Sequence, residues 1–512
     1  MILDNGVIRP MDRFLPSARA LAIAADQVAG GVGVHESALP SPEVVDLGGR
    51  CVLPGFNDAH VHFAQWAIAQ REVQLAGLPA AAALDRIRTV ASGMQPGAWL
   101  RGRGWRAGDW AAGSEPTRAE LDAAVGDRAA ALISRDAHSV LLSTAALALA
   151  GGDLDTPGGI VERDAAGAPT GILRETACWR FLDRHARPSD AELLDAMRQG
   201  QGIALRRGIT AVHDFDGDLG ALELHQRLAA ESSLQLRVLQ TQPASRLPHL
   251  RALGLRAGFG GPHLALGHLK VFLDGTLGSG TARLLDGTGV SVTSRADLEE
   301  TIREAAEAGF PVAVHAIGDA ANREALDAFE ATREVWEPRR LRQRIEHAQC
   351  LHPDDILRFS EIGVTASVQF SHAPADRDLA EERWAERLDG AYAYKSLLDA
   401  GTRLANGSDA PIEALDPLAG IRAAVARTLD DRPGWRTGQA LPMWEAVEAM
   451  TVAPAWLAGD ERRRGRLIPG QVADLVVLDR DPFATPVDEL GEISVVATMV
   501  GGRWLHNPPP WD

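Results

Sequence analysis

The sequence predicts a parallel α/β fold, of the kind that a (β/α)8 barrel with an insertion provides. The prediction rests on chain length, on composition and on an alternation of strand-like and helix-like segments through the middle. The chain has 512 residues, of which 46% are hydrophobic and 24% charged, as in ordinary globular proteins. One (β/α)8 barrel with insertions can use most of that length.

The charge balance argues against polyanionic partners. Lys and Arg number 52 and Asp and Glu 69, giving a formal net charge of −17 without a basic patch. Nucleic acid and anionic membrane surfaces are therefore not expected as partners. The first residues lack the features of a signal peptide, and no run of about 18 apolar residues occurs, so we expect a cytoplasmic protein without a membrane span.

Cysteine usage predicts no disulfide framework. Cys51, Cys178 and Cys350 are widely spaced and form no CxxC zinc pattern. We therefore expect buried free thiols.

Short apolar runs at both ends of the chain predict β-strands. They cover residues 6–8, 20–25 and 44–47 near the start, and 473–479, 493–500 and 503–505 near the end. Neither end offers enough strands for a sandwich by itself. We therefore expect one composite β domain from residues 1–53 and 461–512.

In the middle of the chain, residues 54–460, strand-like and helix-like segments alternate, which favours a parallel sheet. Predicted strands cover 209–215, 264–273, 310–316, 344–348, 364–370 and 402–407, with helices at 294–308, 320–335 and 415–429. The stretch between the first strand and residue 209 is far longer than a crossover needs. Its own helix and strand signals predict an inserted subdomain at about residues 70–200.

Two histidines one residue apart suggest half of a metal site. His60 and His62 end the segment Leu-Pro-Gly-Phe-Asn-Asp-Ala-His-Val-His-Phe at residues 53–63. Side chains alternate along a strand, so both imidazoles would point the same way. Taken alone, the pair fits two surface histidines as well.

Lys270 lies in an otherwise apolar predicted strand. Burial disfavours the ammonium form, and a neutral amine can react with carbon dioxide to give a carbamate that bridges two cations. Equally, a lysine at a strand end can extend its stem along apolar surface and reach water.

Three more candidates follow predicted strands. His315, His347 and Asp409 each come at the carboxyl end of a strand, where barrel active sites form. Alone, each histidine would suit an ordinary core or loop position, and Asp409 would suit a helix cap. Together with the first pair and Lys270, they predict a metal centre suited to zinc, with manganese or iron as alternatives.

With these residues in place, the sequence resembles the amidohydrolase superfamily, in particular its family-3 branch, which includes N-substituted formamide deformylases. The matching segments are residues 54–62, 208–214 (Gly-Ile-Thr-Ala-Val-His-Asp), 270–279, 315–319 (His-Ala-Ile-Gly-Asp), 345–348 (Ile-Glu-His-Ala), 407–413 and 470–477, with 102–105 and 171–175 in the insertion. The resemblance spans almost the whole chain.

The resemblance implies a distorted (β/α)8 TIM barrel with a composite β-sandwich, and hydrolysis at one or two divalent metals. His60 and His62 would hold the more buried metal, with Asp409 as a further ligand. His315 and His347 would hold the second metal, and N-carboxylated Lys270 would bridge the two. A homodimer is the family-style expectation.

These expectations lead to a hydrolase of non-peptide carbon–nitrogen bonds in an amide, formamide or cyclic amide. Metal-activated hydroxide would attack, with Asp409 as general base and then acid. An esterase or lactonase on the same site is one alternative, and a non-catalytic barrel used for binding is another.

The sequence also suggests candidate substrate contacts. Trp105 and Trp110 would suit an aromatic wall, although most tryptophans are core residues. His138, Glu175 and Asp274 are further substrate-binding candidates, and His138 or Asp274 would equally suit a structural hydrogen bond or turn. Glu346 and Asp319 are candidates for orienting ligand imidazoles, or for ordinary salt bridges.

Overall fold

Eight parallel strands form the central sheet of the protein. The computed structural model describes residues 1–29, 43–95, 97–105, 116–135, 137 and 139–511. In chain order the strands are β1 (Phe56–Val61), β2 (Ile209–Asp214), β3 (Arg237–Pro243), β4 (Leu264–Phe272), β5 (Val312–Ala316), β6 (Arg344–His347), β7 (Thr365–Val368) and β8 (Leu404–Asn406).

The strands pair in sequence order, each parallel to the next. Backbone bonds just beyond β8 join the last strand to the first: Asp409 N donates to His60 O at 2.7 Å, and His62 N donates to Ala410 O at 2.9 Å. Gly407 permits this approach, because a Cβ there would lie 2.3 Å from His60 N. The predicted distorted (β/α)8 barrel is confirmed.

Helices follow the strands, and capping residues set where a helix begins and ends. The helix Arg295–Ala308 begins after Ser294, whose hydroxyl accepts from Asp297 N at 3.2 Å, and it ends at Gly309 with φ +80°. Glycine tolerates this left-handed conformation, so the chain can turn directly into β5.

The other helices of this unit have the following bounds: Ala221–Ala230, Leu247–Ala252, Asp319–Ala331, Arg333–Trp336, Pro353–Ile362, His372–Ala375, Arg377–Arg383, Tyr394–Asp399, Pro417–Ala426, Met443–Glu448 and Val452–Leu457. Among the residues described, no helix combines the length and apolar character needed to cross a membrane.

Strands from both ends of the chain share one sheet. Its order is Val7–Ile8, Cys51–Pro54, Leu475–Leu478, Val495–Val500 and Arg503–His506. A second sheet contains Gln27–Val28, Leu21–Ala24, Ile2–Asp4 and Val44–Asp46. Leu3, Leu21, Val52, Leu475 and Met499 belong to one buried apolar cluster, so burial of apolar surface joins the two sheets.

The chain divides into two compact units, residues 1–66 with 197–512, and residues 67–196. The second unit contains a sheet of Gly159–Arg163, Pro169–Glu175, Ser139–Leu142, Ala130–Ser134, Leu100–Trp105 and Val73–Gln74, in that order. Helices Ala80–Gly93, Arg118–Val125, Thr144–Ala148 and Thr176–Phe181 accompany it. Two further helices, Phe63–Ala69 and Asp190–Arg206, include the residues where the chain passes between the units.

Strand β3 was not predicted from the sequence. This strand carries Arg237, Gln240 and Gln242, and all three are buried. These polar side chains interrupt the apolar run by which the other barrel strands are recognised. Their burial depends on partners such as Asp474, whose Oδ2 accepts from Arg237 Nε at 2.6 Å.

Candidate metal centre

The first barrel strand presents His60 and His62 at its carboxyl end. His60 is the fifth residue of β1, and His62 follows the strand directly. Each ring has one nitrogen bound to a carboxylate: His60 Nδ1 lies 2.6 Å from Glu346 Oε2, and His62 Nδ1 lies 3.0 Å from Asp216 Oδ1. A hydrogen bond at Nδ1 leaves Nε2 with a lone pair for a cation.

Asp409 lies where both free nitrogens converge. Its Oδ1 is 3.5 Å from His60 Nε2 and 3.6 Å from His62 Nε2. Asp409 has a positive φ of 56° directly after β8, and it is held by the backbone bond to His60 described above. Burial raises the pKa of this carboxyl above its usual value. The three residues together can hold a metal ion.

His315 and His347 approach from the neighbouring strands β5 and β6. Their ring centroids lie 4.6 Å apart, and those of His347 and His60 lie 5.1 Å apart. His315 Nε2 is 3.1 Å from Gly275 O, and His347 Nδ1 is 2.8 Å from Gln369 Oε1. In each ring the bonded nitrogen carries the proton, so the other nitrogen is available to a metal.

Burial keeps these imidazoles neutral. It lowers the pKa of His315 to about 3, with a further contribution from the charge of Lys270. It also holds the pKa of His347 and of His60 well below the ordinary value. Neutral imidazole is the form that binds metal ions, so burial favours ligation by these three rings. At His62 burial acts in the same direction, but the hydrogen bond and the charge of Asp216 outweigh it and raise the pKa above its ordinary value.

Lys270 points into the same barrel from β4. The residue is 8% exposed, and its Nζ lies 4.8 Å from the ring centroids of both Phe215 and Phe272. Among the described residues, no carboxylate oxygen comes within 4.0 Å of this Nζ. Burial lowers the pKa of Lys270 to about 8, so a neutral amine is accessible near neutral pH.

These donors fit the metal centre that the sequence predicts. His60, His62, Lys270, His315, His347 and Asp409 come from strands spread around one barrel end. Each histidine has one ring nitrogen held by a buried acceptor and the other left for a cation. This imidazole and carboxylate set suits zinc.

The structure adds His372 to this cluster, which the sequence analysis missed. His372 lies just beyond β7, and it forms a possible ligand group with His347 and Asp409. The available signal was its place after a predicted strand, as for the other candidates. His372 was harder to recognise because three residues separate it from the end of β7 at Val368.

A buried arginine holds the carboxylate that bonds His60. Arg344 is 0% exposed and forms an ion pair with Glu346, the acceptor for His60. Its guanidinium also donates to Ala59 O at 2.7 Å and Ser367 Oγ at 2.5 Å, and lies 3.0 Å from His213 Nδ1. Glu346 therefore bonds a candidate ligand, whereas Asp319 accepts from Leu285 N and Arg387 Nε instead.

The carboxylate of Asp274 is engaged by backbone groups. Oδ1 accepts from Ile317 N at 3.0 Å, and Oδ2 accepts from Gly318 N at 2.8 Å and Arg283 N at 2.9 Å. These bonds tie the loop after β4 to the end of β5. They match the turn-closing interpretation of Asp274.

The remaining substrate-binding candidates lie in the second unit or outside the described residues. Trp105 is 2% exposed, and its Nε1 donates to Leu132 O at 2.8 Å within that unit's core. Glu175 ends the strand Pro169–Glu175 with a φ of 53°. His138 and Trp110 lie outside the described residues. The three cysteines are buried and form no disulfide, as expected.

The chain is similar to several known proteins along nearly its full length. The chain is 31% identical to LONG AFTER FAR-RED 3 of Arabidopsis thaliana, over 99% of this chain and 91% of the relative. It is 28% identical to the N-substituted formamide deformylase of Arthrobacter pascens, over 98% and 97% of the two chains. An uncharacterized metal-dependent hydrolase from Pyrococcus horikoshii superposes with a TM-score of 0.81, at 28% identity and over 95% and 99% of the two chains.

A family model confirms the relationship over most of the chain. The model for the amidohydrolase family matches residues 43–506. The expectation of a metal-dependent hydrolase is thereby confirmed. This chain belongs to the amidohydrolase family.

Proposed function

We propose that this protein hydrolyses the carbon–nitrogen bond of a small non-peptide amide, formamide or cyclic amide, using one or two divalent metal ions, preferably zinc. The position of Asp409 carries the proposal. Its Oδ1 meets the free nitrogens of His60 and His62. Its Oδ2 lies 4.0 Å from His347 Nδ1 and 3.8 Å from His372 Nε2.

Six side chains would hold the metals. His60, His62 and Asp409 would bind one ion, His315 and His347 the other, and Lys270 would bridge them. When bound, such ions lower the pKa of water and polarise a carbonyl oxygen.

Lys270 is proposed to act as a carbamate. Its buried amine lies beside aromatic rings rather than a carboxylate, and its pKa of about 8 makes the neutral form accessible. The neutral nitrogen would attack carbon dioxide, forming a carbon–nitrogen bond and releasing one proton. The resulting anion would place oxygen donors where a lysine offers none.

Asp409 is proposed to move the proton. The residue is 7% exposed, and in the metal-free site burial raises the pKa of its carboxyl. A carboxylate beside the attacking water can act as a general base. It would accept a proton from the attacking water and deliver that proton to the leaving nitrogen. Protonation lets the nitrogen depart as a neutral amine rather than as a strongly basic anion.

The formamide class has direct support from one relative. The N-substituted formamide deformylase matches this chain along nearly its full length. Zinc-loaded protein should therefore be assayed against N-substituted formamides, cyclic amides and the corresponding esters and lactones. Release of amine and formate at rates that disappear in D409N would support the proposal. Ester or lactone cleavage without amide cleavage would contradict the substrate class.

The proposed substrate contacts are Trp105, His138, Glu175 and Asp274. Single alanine variants, assayed with the best formamide, separate binding from support of the fold. A raised KM with unchanged thermal stability would assign a substrate contact. A loss of stability would assign a structural role, which is the result that the contacts of Trp105 and Asp274 favour.

A further inference from the structure

We propose that His372 is a hydrogen-bond donor to the substrate, binding the oxygen that becomes negative when the carbonyl is attacked. The inference rests on the proposed hydrolytic centre, and it adds a residue that is not among the six proposed ligands. His372 begins the helix His372–Ala375 after β7, and its backbone N donates to Gln369 O at 3.1 Å.

The imidazole of His372 is buried with one nitrogen unused. The residue is 5% exposed, and its Nε2 has no hydrogen-bond partner among the described residues. Asp409 Oδ2 lies 3.8 Å from this nitrogen. That separation is too long for a hydrogen bond, so the nitrogen remains available to a bound molecule.

The hydrogen bond at the other nitrogen distinguishes His372 from the ligand histidines. His60, His62, His315 and His347 each have one ring nitrogen facing an oxygen acceptor, so the opposite nitrogen keeps a lone pair. His372 Nδ1 instead lies 2.9 Å from the amide nitrogen of Gln349, which donates to it. With the Gln349 amide in this orientation, Nδ1 of His372 accepts, and the neutral ring carries its proton on Nε2.

An N–H group at this position has a specific chemical use. Attack on a carbonyl concentrates negative charge on its oxygen, and a preorganised donor in a buried site stabilises that charge. Asp409 already serves as the proposed proton acceptor beside it. His372 therefore complements the carboxylate and the polarising ions, because it offers that oxygen a donor that need not give up its proton.

Inorganic phosphate is a suitable probe because it is a tetrahedral oxyanion and requires no turnover. The experiment titrates phosphate into zinc-loaded protein by calorimetry, with zinc content measured on the same samples. H372F removes the donor while keeping a ring, and H372Q retains an N–H group. H263F provides the matched control, because His263 immediately precedes β4 at the opposite end of the barrel.

We expect H372F to bind phosphate about 10- to 100-fold more weakly than the wild type, with H372Q between them. The wild-type zinc content should persist in both variants, and H263F should match the wild type. Equal affinity in all four proteins, including no binding in any, would overturn the proposal. Loss of zinc from H372F would also overturn it, because His372 would then be a metal ligand. A failed amide screen would leave these outcomes unchanged and would count only against the proposed reaction.

Discussion

His60 Nδ1 lies 2.6 Å from Glu346 Oε2 in the barrel interior, with side chains only 1% and 0% exposed. Arg344 holds the same carboxylate in a buried ion pair. The candidate ligand is therefore oriented by a charged pair that is itself fixed by backbone and hydroxyl groups. A carboxylate behind a ligand histidine fixes its tautomer and makes it a stronger donor.

Replacing Glu346 with glutamine should weaken metal binding. E346Q keeps the size of the side chain, but removes the charge that Arg344 and His60 share. We expect zinc affinity to fall about 10- to 100-fold, measured by competition with a chelator of known affinity.

Glu461 offers the matched control for this change. It pairs with Arg342 at 2.6 Å, with side chains 24% and 28% exposed. E461Q should retain wild-type zinc affinity. Equal losses in E346Q and E461Q would show that the effect is not specific to the ligand histidine.

Asp274 should contribute strongly to stability. D274A leaves three backbone N–H groups without their acceptor, and should lower the free energy of unfolding by about 2–4 kcal/mol in urea denaturation. D274N keeps one acceptor oxygen, and its free energy of unfolding should lie between those of D274A and the wild type. D389A is the control, because Asp389 is 99% exposed. A wild-type stability for D274A would favour the substrate-binding interpretation instead.

His268 should make stability depend on pH. Burial, followed by the charge of Arg344, lowers its pKa to about 3 from an ordinary value of 6.5. Because the folded-state pKa is lower, the unfolded chain binds more protons between these values. The contribution of His268 to the free energy of unfolding is therefore fully present above pH 6.5 and is lost as the pH falls towards 3.

The matched variant for this effect is H268Q. Lowering the pH from 7 to 5 should destabilise the wild type by about 2 kcal/mol more than H268Q. Urea midpoints measured on metal-free protein at each pH provide the comparison. Parallel pH profiles for the two proteins would show that the imidazole titrates normally.

Asp409 should be essential for turnover but not for folding. D409N preserves shape and removes the carboxylate proposed to carry the proton. We expect at least a 100-fold loss in kcat, on the general scale of acid–base catalysis, with an unchanged circular dichroism spectrum. Retained turnover would remove Asp409 from the proton-transfer role.

The barrel and its candidate ligand positions could be predicted from the sequence because both leave local signals. The apolar runs before His315, His347 and Asp409 identify buried strands, and each of these residues comes at a strand's carboxyl end. Parallel strands bring those ends together. Histidines far apart in sequence were therefore predictable neighbours.

Other features depend on three-dimensional partners that no local pattern encodes. Strand β3 was missed because Arg237 and Gln240 are polar, and their burial depends on residues elsewhere in the fold. His372 can be recognised as a candidate site residue only from its distance to Asp409 and its hydrogen bond with Gln349. Such contacts become visible only once the strands are assembled.

Removing the metal is the strictest test of whether this cluster is a metal-dependent hydrolytic centre. Protein stripped with dipicolinate and dialysed should be assayed with the best formamide of the panel, then assayed again after zinc is restored. We expect activity to disappear with the metal and to return as zinc is added, reaching a plateau at one or two ions per chain. Undiminished hydrolysis by metal-free protein would contradict the assignment of this cluster as the hydrolytic centre.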